Sequence, residues 1–333
     1  MPLPVYRHPA LTVMVDDSRS FLDSLAFRLD GLVHKTFDDA HAAIDWLQQA
    51  YRSAGNATDL IRVGYDEETD SFTRRNASIE VEQVFSMVSS GSRFEVPAVV
   101  VVDYAMPGLN GLQLCEIIAG LPCRKILLTG QASEKIAIDA FNRKLIDGFI
   151  SKSDPQAITL LEQAIEKAQQ DYFLELTSTL KDLLARHSYS FLTDPAIEEV
   201  VALLYARYRF VEHYVFAHPE GIVFFDAGGN ATLMAIATRE VLVAHAEIAE
   251  CEHAPADLLE AMRQLRLVPF FSDTNGFYRE HIGDDWLQYS LPPQITEGRE
   301  TYYWALFELP RHYFQQPIHP YEKFLRQADE RLP

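Results

Sequence analysis

The chain has 333 residues, of which 48% are hydrophobic, so it can form more than one ordinary core. Its formal net charge of −19 makes nucleic acid a poor partner, because an acidic surface repels phosphate backbones. The three cysteines form no close pair, and no apolar run is long enough to span a bilayer. With no signal-peptide pattern at the start, we expect a cytoplasmic protein of two domains without a membrane segment.

The first half of the chain alternates short apolar runs with amphipathic helical patterns. This alternation predicts a parallel sheet of five strands with helices on both faces. Residues 51–97 interrupt this alternation and are predicted to be an insertion, within which Val81, Val84, Phe85 and Val88 share one helical face. The predicted strands are 11–15, 33–37, 98–102, 125–129 and 147–151, and the predicted helices are 18–29, 38–50, 111–119, 133–143 and 155–170.

The last of these helical patterns continues across 156–192, where no proline or glycine interrupts it. Its apolar residues recur every three or four positions, but the heptad register slips in the middle. One extended helix between two domains and two helices with a tight joint both fit this pattern. We place the domains at 1–170 and 171–333.

The second half predicts an α+β domain with antiparallel strands. A helix at 195–209 precedes three apolar strands, and two further helices precede a last predicted strand pair at 286–291 and 301–309. The segment AGGN at 227–230 joins two of the apolar strands and is typical of a hairpin turn, although such a turn can also bind phosphate. The three strands are HYVFAH at 213–218, GIVFFD at 221–226 and ATLMAIA at 231–237.

Polar side chains stand where the predicted parallel strands end. Asp16 and Asp17 follow the first strand, and Asp103 ends the strand formed by a run of valines. In a doubly wound sheet the carboxyl ends of the strands share one edge, where ligands gather. Three carboxylates there favour Mg²⁺, and Thr129 and Lys152 end the next two strands. Such a set can bind a cation, expose a nucleophilic carboxylate and neutralise a transferred phosphoryl group.

These segments resemble the receiver domain of two-component response regulators, which has a flavodoxin-like fold. The matching motifs are VDD at 15–17, DYAMPGLNG at 103–111, LLTG at 127–130 and FISK at 149–152, in the family's order. The resemblance covers residues 10–170. It implies that the chain is a response regulator whose C-terminal output domain belongs to no recognised type.

The resemblance implies a role for each matching acidic residue. Asp103 would be the phosphoacceptor. Asp17, Asp103 and the main-chain carbonyl of Ala105 would ligate Mg²⁺, and Asp16 would orient a metal-bound water. A histidine kinase or a phosphotransfer protein would be the phosphoryl donor.

The resemblance also implies a switch beside the acidic residues. Lys152 would pair with the Asp103 carboxylate and later with a phosphoryl oxygen. Thr129 would hydrogen-bond the phosphoryl group, and Phe149 would follow Thr129 inward. We therefore expect a phosphorylation-dependent signalling switch, a homodimer, that is not an enzyme beyond its own phosphorylation and dephosphorylation.

The output domain leaves alternatives open. It could be an enzyme or a small-ligand sensor under receiver control, since the hairpin at 219–236 is similar to the opening hairpin of PAS domains. A transcriptional output would need a basic face, but acidic residues outnumber basic ones in 171–333. His245, Cys251 and His253 could ligate a metal, but their spacing favours ordinary core and surface positions.

Overall fold

The computed structural model of the chain describes residues 2–29, 31–53, 61–65, 75–79, 81–130, 134–186, 189–274, 276–314 and 316–329. The helices are α1 (Arg19–Arg28), α2 (Ala40–Ser53), α3 (Val81–Ser89), α4 (Gly111–Ile117), α5 (Glu134–Asn142), α6 (Ala157–Leu176), α7 (Ser178–Ala185), α8 (Pro195–Tyr208), α9 (Arg239–Cys251), α10 (Ala256–Arg263) and α11 (Tyr321–Asp329). The strands are β1 (Tyr6–Arg7), β2 (Leu11–Val15), β3 (His34–Phe37), β4 (Ile61–Tyr65), β5 (Arg75–Ile79), β6 (Pro97–Asp103), β7 (Arg124–Thr129), β8 (Gly148–Ser151), β9 (Phe210–Phe216), β10 (Gly221–Asp226), β11 (Ala231–Ala237), β12 (Val268–Pro269), β13 (Ser290–Leu291), β14 (Gln294–Glu297) and β15 (Thr301–Leu309). Among these helices, none combines the length and the apolar character needed to cross a membrane.

The chain forms two compact units, and each is built from more than one stretch of sequence. The first unit takes residues 8–57, 91–176 and 323–333, and the second takes residues 1–7, 58–90 and 177–322. This differs from the predicted division between residues 170 and 171. The N-terminal residues belong to the second unit because β1 pairs antiparallel with β9.

The first unit contains a five-stranded parallel sheet in the order β3-β2-β6-β7-β8. Counted within the unit, this is the 2-1-3-4-5 order of doubly wound, flavodoxin-like sheets. All residues of β2 and β6 are buried, as expected of central strands covered on both faces. The predicted fold class of the first half is confirmed.

Short, capped connections hold the strand ends of this sheet in place. The Ser18 hydroxyl accepts a hydrogen bond from the Phe21 amide and so caps α1, which starts three residues after Asp16. Asn110 and Gln113 form a reciprocal capping box at the start of α4. Because each helix starts close to the strand before it, polar residues at the strand ends stay at one edge of the sheet.

The second unit contains a six-stranded antiparallel sheet in the order β1-β9-β10-β11-β15-β14. Strands β9, β10 and β11 follow one another as a meander. Strands β10 and β11 coincide with the apolar runs seen in the sequence, whereas β9 begins at Phe210 and ends at Phe216 rather than covering 213–218. Helices α9 and α10 come between β11 and the closing strands, so this half has the predicted α+β class.

Within 51–97 the strands β4 and β5 form an antiparallel pair that the sequence did not predict, and α3 follows them. One expectation about strands was wrong. The segment 286–291 does not pair with β15, whose partners are β11 and β14. Residues 280–289 form 3₁₀ helix instead. Pro292 and Pro293 then supply no amide donors to extend β13.

The long helical pattern forms two helices rather than one. Helix α6 ends at Leu176 and α7 begins at Ser178, with Thr177 between them at φ −103° and ψ 5°. Thr177 is fully buried, and its hydroxyl accepts a hydrogen bond of 3.2 Å from the Val5 amide. The single extended helix over 156–192 is therefore not formed, and the alternative with a tight joint is the one observed.

Candidate functional site

Three carboxylates meet at the carboxyl edge of the parallel sheet. Asp16 and Asp17 follow β2, and Asp103 is the last residue of the neighbouring strand β6. One carboxylate oxygen from each of the three residues lies within 4.8 Å of those of the other two. Asp16 and Asp103 are buried, whereas Asp17 is exposed. The structure thus brings together the acidic residues that the strand pattern predicts, with access from solvent through Asp17.

Lys152 supplies the positive charge of this cluster. Its Nζ lies 2.6 Å from Oδ2 of Asp16 and 2.6 Å from Oδ1 of Asp103. Burial alone would lower the pKa of Lys152, but hydrogen bonds and charges from Asp103 and Asp16 outweigh it and raise the pKa. Lys152 therefore remains an ammonium and is the positive partner of two buried acidic side chains.

Thr129 ends β7, the strand beside β6. It is fully buried, and within the part of the chain that the structure describes its hydroxyl oxygen has no hydrogen-bond partner. Its carbonyl accepts a bond of 2.8 Å from the Lys152 amide. A buried hydroxyl without a partner is costly and is unusual in a native fold, so this donor is available to a group that enters the site.

The loop after β6 fixes the Asp103 side chain from behind. The Ala105 amide donates to Oδ2 of Asp103 at 3.0 Å, which leaves Oδ1 to Lys152. The Tyr104 amide donates to the Leu128 carbonyl, and the Gly111 amide returns to the Tyr104 carbonyl. A Cβ on Gly111 would lie 2.3 Å from the Asp103 carbonyl oxygen, so only glycine allows the helix to start this close.

Phe149 lies in β8, three residues before Lys152. Its half-buried ring packs edge-on against Phe141 at a centroid distance of 6.5 Å. The Phe141 ring is itself 47% exposed, so one of the contacts of Phe149 is with a side chain at the surface.

Sequence reasoning missed one neighbour of the cluster. Phe21 belongs to the apolar spacing of α1, yet its ring centroid lies 4.4 Å from Nζ of Lys152. Leu22 and Leu25 on the same helix are buried, whereas Phe21 is half-buried. The periodicity places Phe21 on the core face, and its contact with a lysine from the far end of the domain has no local signal in the sequence.

The donor set fits a hard divalent cation. Three carboxylates face a single ammonium group, which leaves a net negative charge within a few ångströms. Oxygen ligands of this kind suit Mg²⁺, which keeps part of its water shell and usually takes only a few protein carboxylates. The exposed Asp17 is consistent with a site that the ion can enter from solvent.

The histidine and cysteine set in the second unit is not assembled as a metal site. Among the described residues, the three carboxylates are the group whose ligand atoms could hold an ion. Cys251 is exposed, and the His245 ring packs edge-on against Phe277 at 5.1 Å. Burial and the nearby His218 lower the pKa of His245 to about 4. His245 is thus a neutral packing residue, as its spacing indicates.

The turn at 227–230 is closed by its own side chains. The Asp226 carboxylate accepts bonds from the amide and the side chain of Asn230, at 2.9 and 2.8 Å. Gly229 has φ +80°, and a Cβ built on it would lie 3.1 Å from Cγ of Pro320 and 3.3 Å from Cγ2 of Ile318. This is the predicted hairpin turn.

No family model and no curated protein match the chain. Among solved structures it is similar to the Legionella pneumophila response regulator LqsR, at 28% identity and a TM-score of 0.77, over 99% of this chain and 98% of that one. A Rhodopirellula baltica adenylate cyclase is 17% identical with a TM-score of 0.34, over 52% of this chain and 96% of its own. A Clostridium thermocellum response regulator receiver domain protein is 19% identical with a TM-score of 0.33, over 50% and 98%. The last two likenesses are too remote to define a function.

The parallel sheet and its acidic edge thus have the fold of a receiver domain. The chain as a whole is similar to a response regulator of known structure, so the resemblance predicted from the motifs is confirmed. The likeness also extends across the second unit, for which the sequence offered no family.

Proposed function

We propose that the protein is a phosphorylation-dependent signalling switch that accepts a phosphoryl group on Asp103 with the help of Mg²⁺. The observation that carries the proposal is the pairing of Asp103 and Asp16 with one ammonium, that of Lys152, at 2.6 Å each. A lysine held between a potential nucleophile and a second carboxylate can compensate the charge that arrives with a phosphoryl group. The donor is a histidine kinase or a phosphotransfer protein.

The transfer needs alignment and charge neutralisation more than covalent help from other side chains. Oδ1 of Asp103 attacks the phosphorus of a phosphohistidine, the phosphorus–nitrogen bond breaks, and an acyl phosphate forms. Asp17, Asp103 and the Ala105 carbonyl would hold Mg²⁺, with Asp16 orienting a bound water, and the ion would neutralise phosphoryl oxygens. Lys152 then pairs with a phosphoryl oxygen.

Thr129 is the first part of the switch. Its buried hydroxyl gains a phosphoryl oxygen as acceptor, which satisfies a group that otherwise lacks a partner among the described residues. Phe149 follows into the space that Thr129 leaves. The Phe149 ring is half-buried and is covered by Phe141 at the surface, which supports such a movement.

The experiment that tests the site is labelling with a phosphorylated kinase or with an acyl phosphate. Asp103→Asn should abolish the acid-stable, base-labile label completely. Asp45→Asn is the matched control, since Asp45 is an exposed aspartate of α2 in the same unit, and it should be labelled like the wild type. Persistent labelling of Asp103→Asn would refute the assignment.

The output step is proposed to be a change in dimerisation or in protein contacts of a cytoplasmic homodimer. An acidic second domain supports protein partners over nucleic acid. The native mass with and without beryllofluoride, a phosphoryl mimic, should differ in the wild type and not in Asp103→Asn. An unchanged mass and unchanged protease sensitivity would instead favour the alternatives, an enzyme or a PAS-like sensor under receiver control.

A further inference from the structure

The ammonium of Lys152 has an aromatic neighbour in addition to its two carboxylate partners. Nζ bonds to Asp16 and Asp103, and it also lies over the Phe21 ring, 4.4 Å from the centroid. An ammonium over an aromatic face is attracted by the ring quadrupole, and the attraction grows as water is removed. The Lys152 side chain is 28% exposed, so the pair is partly shielded from water.

Phe21 stands at a cavity of about 270 Å³ next to the acidic site. Its lining includes the apolar Leu25 and Leu128, the charged Arg28 and Asp154, and Lys152 itself. A ring over Nζ limits the water that can hydrate the ammonium from the cavity side.

The position of Phe21 is determined by helix α1 and not by the lysine. The helix starts at the Ser18 cap, whose amide donates to Oδ1 of Asp16 at 2.9 Å. The same Asp16 carboxylate accepts from Lys152 through Oδ2. Asp16 therefore bonds both to the start of helix α1, which carries Phe21, and to Lys152. These two bonds preorganise the Phe21 ring over Nζ.

We propose that Phe21 is a positioning residue for phosphoryl transfer, and that it acts by holding the Lys152 ammonium against Asp16 and Asp103 through a cation–π contact. This rests on the proposed function. Without the Phe21 ring, Lys152 keeps its two carboxylate partners. Its ammonium is then more hydrated on the cavity side, and its side chain can adopt more rotamers. The ammonium is then less often in place when the phosphoryl group arrives, which slows the transfer.

The test compares aromatic and aliphatic residues at position 21. Phe21→Trp and Phe21→Tyr keep an aromatic face and should be labelled by an acyl phosphate at rates close to that of the wild type. Phe21→Leu keeps apolar packing without the face and should be labelled about three- to tenfold more slowly at saturating Mg²⁺. Phe27→Leu is the control, because Phe27 lies on the same helix and is 86% exposed.

A second readout does not depend on phosphorylation. In the wild type, the ring current of Phe21 should shift the NMR signals of the Lys152 ε-methylene and ammonium protons upfield. Phe21→Leu should abolish that shift, Phe21→Trp should enlarge it, and Phe27→Leu should leave it unchanged. Circular dichroism of each variant checks that helix α1 is intact.

Two results would overturn the positioning role: labelling of Phe21→Leu as fast as the wild type, or Lys152 signals that do not change in that variant. A rate loss shared by Phe21→Trp, Phe21→Tyr and Phe21→Leu would also overturn it, because it would show that packing alone matters. If the wild type is not labelled at all, the proposed function fails and the positioning role fails with it. The Lys152 signals still show in that case whether the ring covers the ammonium.

Discussion

Each unit contains a cluster of ionisable groups with buried members, and the two clusters differ in their access to solvent. In the first unit, Asp16, Asp103 and Lys152 lie at the end of parallel strands, beside an exposed aspartate. In the second, Glu212 and His213 lie within strand β9 and are 0% and 1% exposed. Both clusters contain charge or potential charge in a core, where such groups are costly unless they are paired.

The second cluster is closed by its own hydrogen bonds. The Tyr205 hydroxyl and Nδ1 of His213 are 2.6 Å apart, and Nε2 of His213 is 3.1 Å from the Pro4 carbonyl oxygen. The Tyr214 hydroxyl donates to Glu212 at 2.9 Å. A buried polar cluster therefore does not by itself indicate function. The acidic edge of the first unit differs in that it combines access through Asp17 with a hydroxyl that lacks a partner among the described residues.

The largest expected difference between the two clusters concerns the free energy of unfolding. It should depend on pH through His213 in the second cluster. Burial, above all, lowers the pKa of His213 from 6.5 to about 4. Between these two values the unfolded chain binds a proton that the folded chain does not, so the free energy of unfolding falls as the pH falls. The contribution lost by pH 4 is about 3 kcal/mol at most, at 1.36 kcal/mol per pKa unit.

Urea unfolding between pH 7 and pH 4 measures this loss in the wild type and in His213→Gln, which should show a flatter profile. His41→Gln is the control, since His41 is exposed on α2 and should leave the profile unchanged. Parallel pH profiles for the wild type and His213→Gln would mean that the second cluster tolerates charge as the first does, and the comparison would fail.

The next largest effect is expected from a substitution at Gly111, where the backbone after β6 passes close to Asp103. Gly111→Ala places a Cβ 2.3 Å from the Asp103 carbonyl oxygen, so the loop after β6 must shift. We expect a loss of about 1–3 kcal/mol in the free energy of unfolding, together with slower labelling of Asp103. Gly120→Ala should be nearly neutral in both measurements, because a Cβ there meets nothing within 4 Å. If Gly111→Ala and Gly120→Ala had the same stability and labelling rate, the close approach of helix α4 to the Asp103 carbonyl would be refuted.

The smallest expected effect is that of Asp103→Asn, which should increase the free energy of unfolding rather than lower it. Without a divalent cation, three carboxylates share one ammonium, so Asp103→Asn relieves repulsion and should raise the free energy of unfolding by about 1 kcal/mol. Added Mg²⁺ should stabilise the wild type more than Asp103→Asn, so the difference in the free energy of unfolding between the two proteins should become smaller or change sign. Chemical unfolding of both proteins, once with chelator and once with Mg²⁺, measures this difference under each condition. A less stable Asp103→Asn in chelator would show that the Lys152 pair outweighs the repulsion.

The sequence was sufficient to predict the parallel sheet of the first unit and its acidic edge because the signals there are local. A run of valines buried on both faces predicts a central strand, and polar residues directly after successive strands must share an edge in a parallel sheet. The cap at Ser18 and the glycine at 111 are also short-range features. Phe21 was missed because its partner lies at position 152, and helical periodicity gives no sign of that contact.

The second unit was harder to predict because its pairings join distant parts of the chain. The segment QITE at 294–297 is short and polar, and it becomes β14 through pairing with β15 and a turn held by Asp194, which accepts from the Arg299 amide at 2.6 Å. Strand β1 has only two residues and pairs with β9 about two hundred positions later. Neither pairing has a periodic signal for a sequence argument to use.

The sequence by itself determined the parallel sheet and placed Asp16, Asp17, Asp103, Thr129 and Lys152 at the ends of its strands, since these follow from residue type and strand spacing. Only the tertiary structure decided where the long helical pattern breaks, which residues complete the second sheet and what covers Lys152. The break at Thr177 shows the reason. Local propensity allowed a continuous helix, but the Thr177 hydroxyl is buried and bonded to Val5, and a contact over 172 positions is visible only in the folded chain.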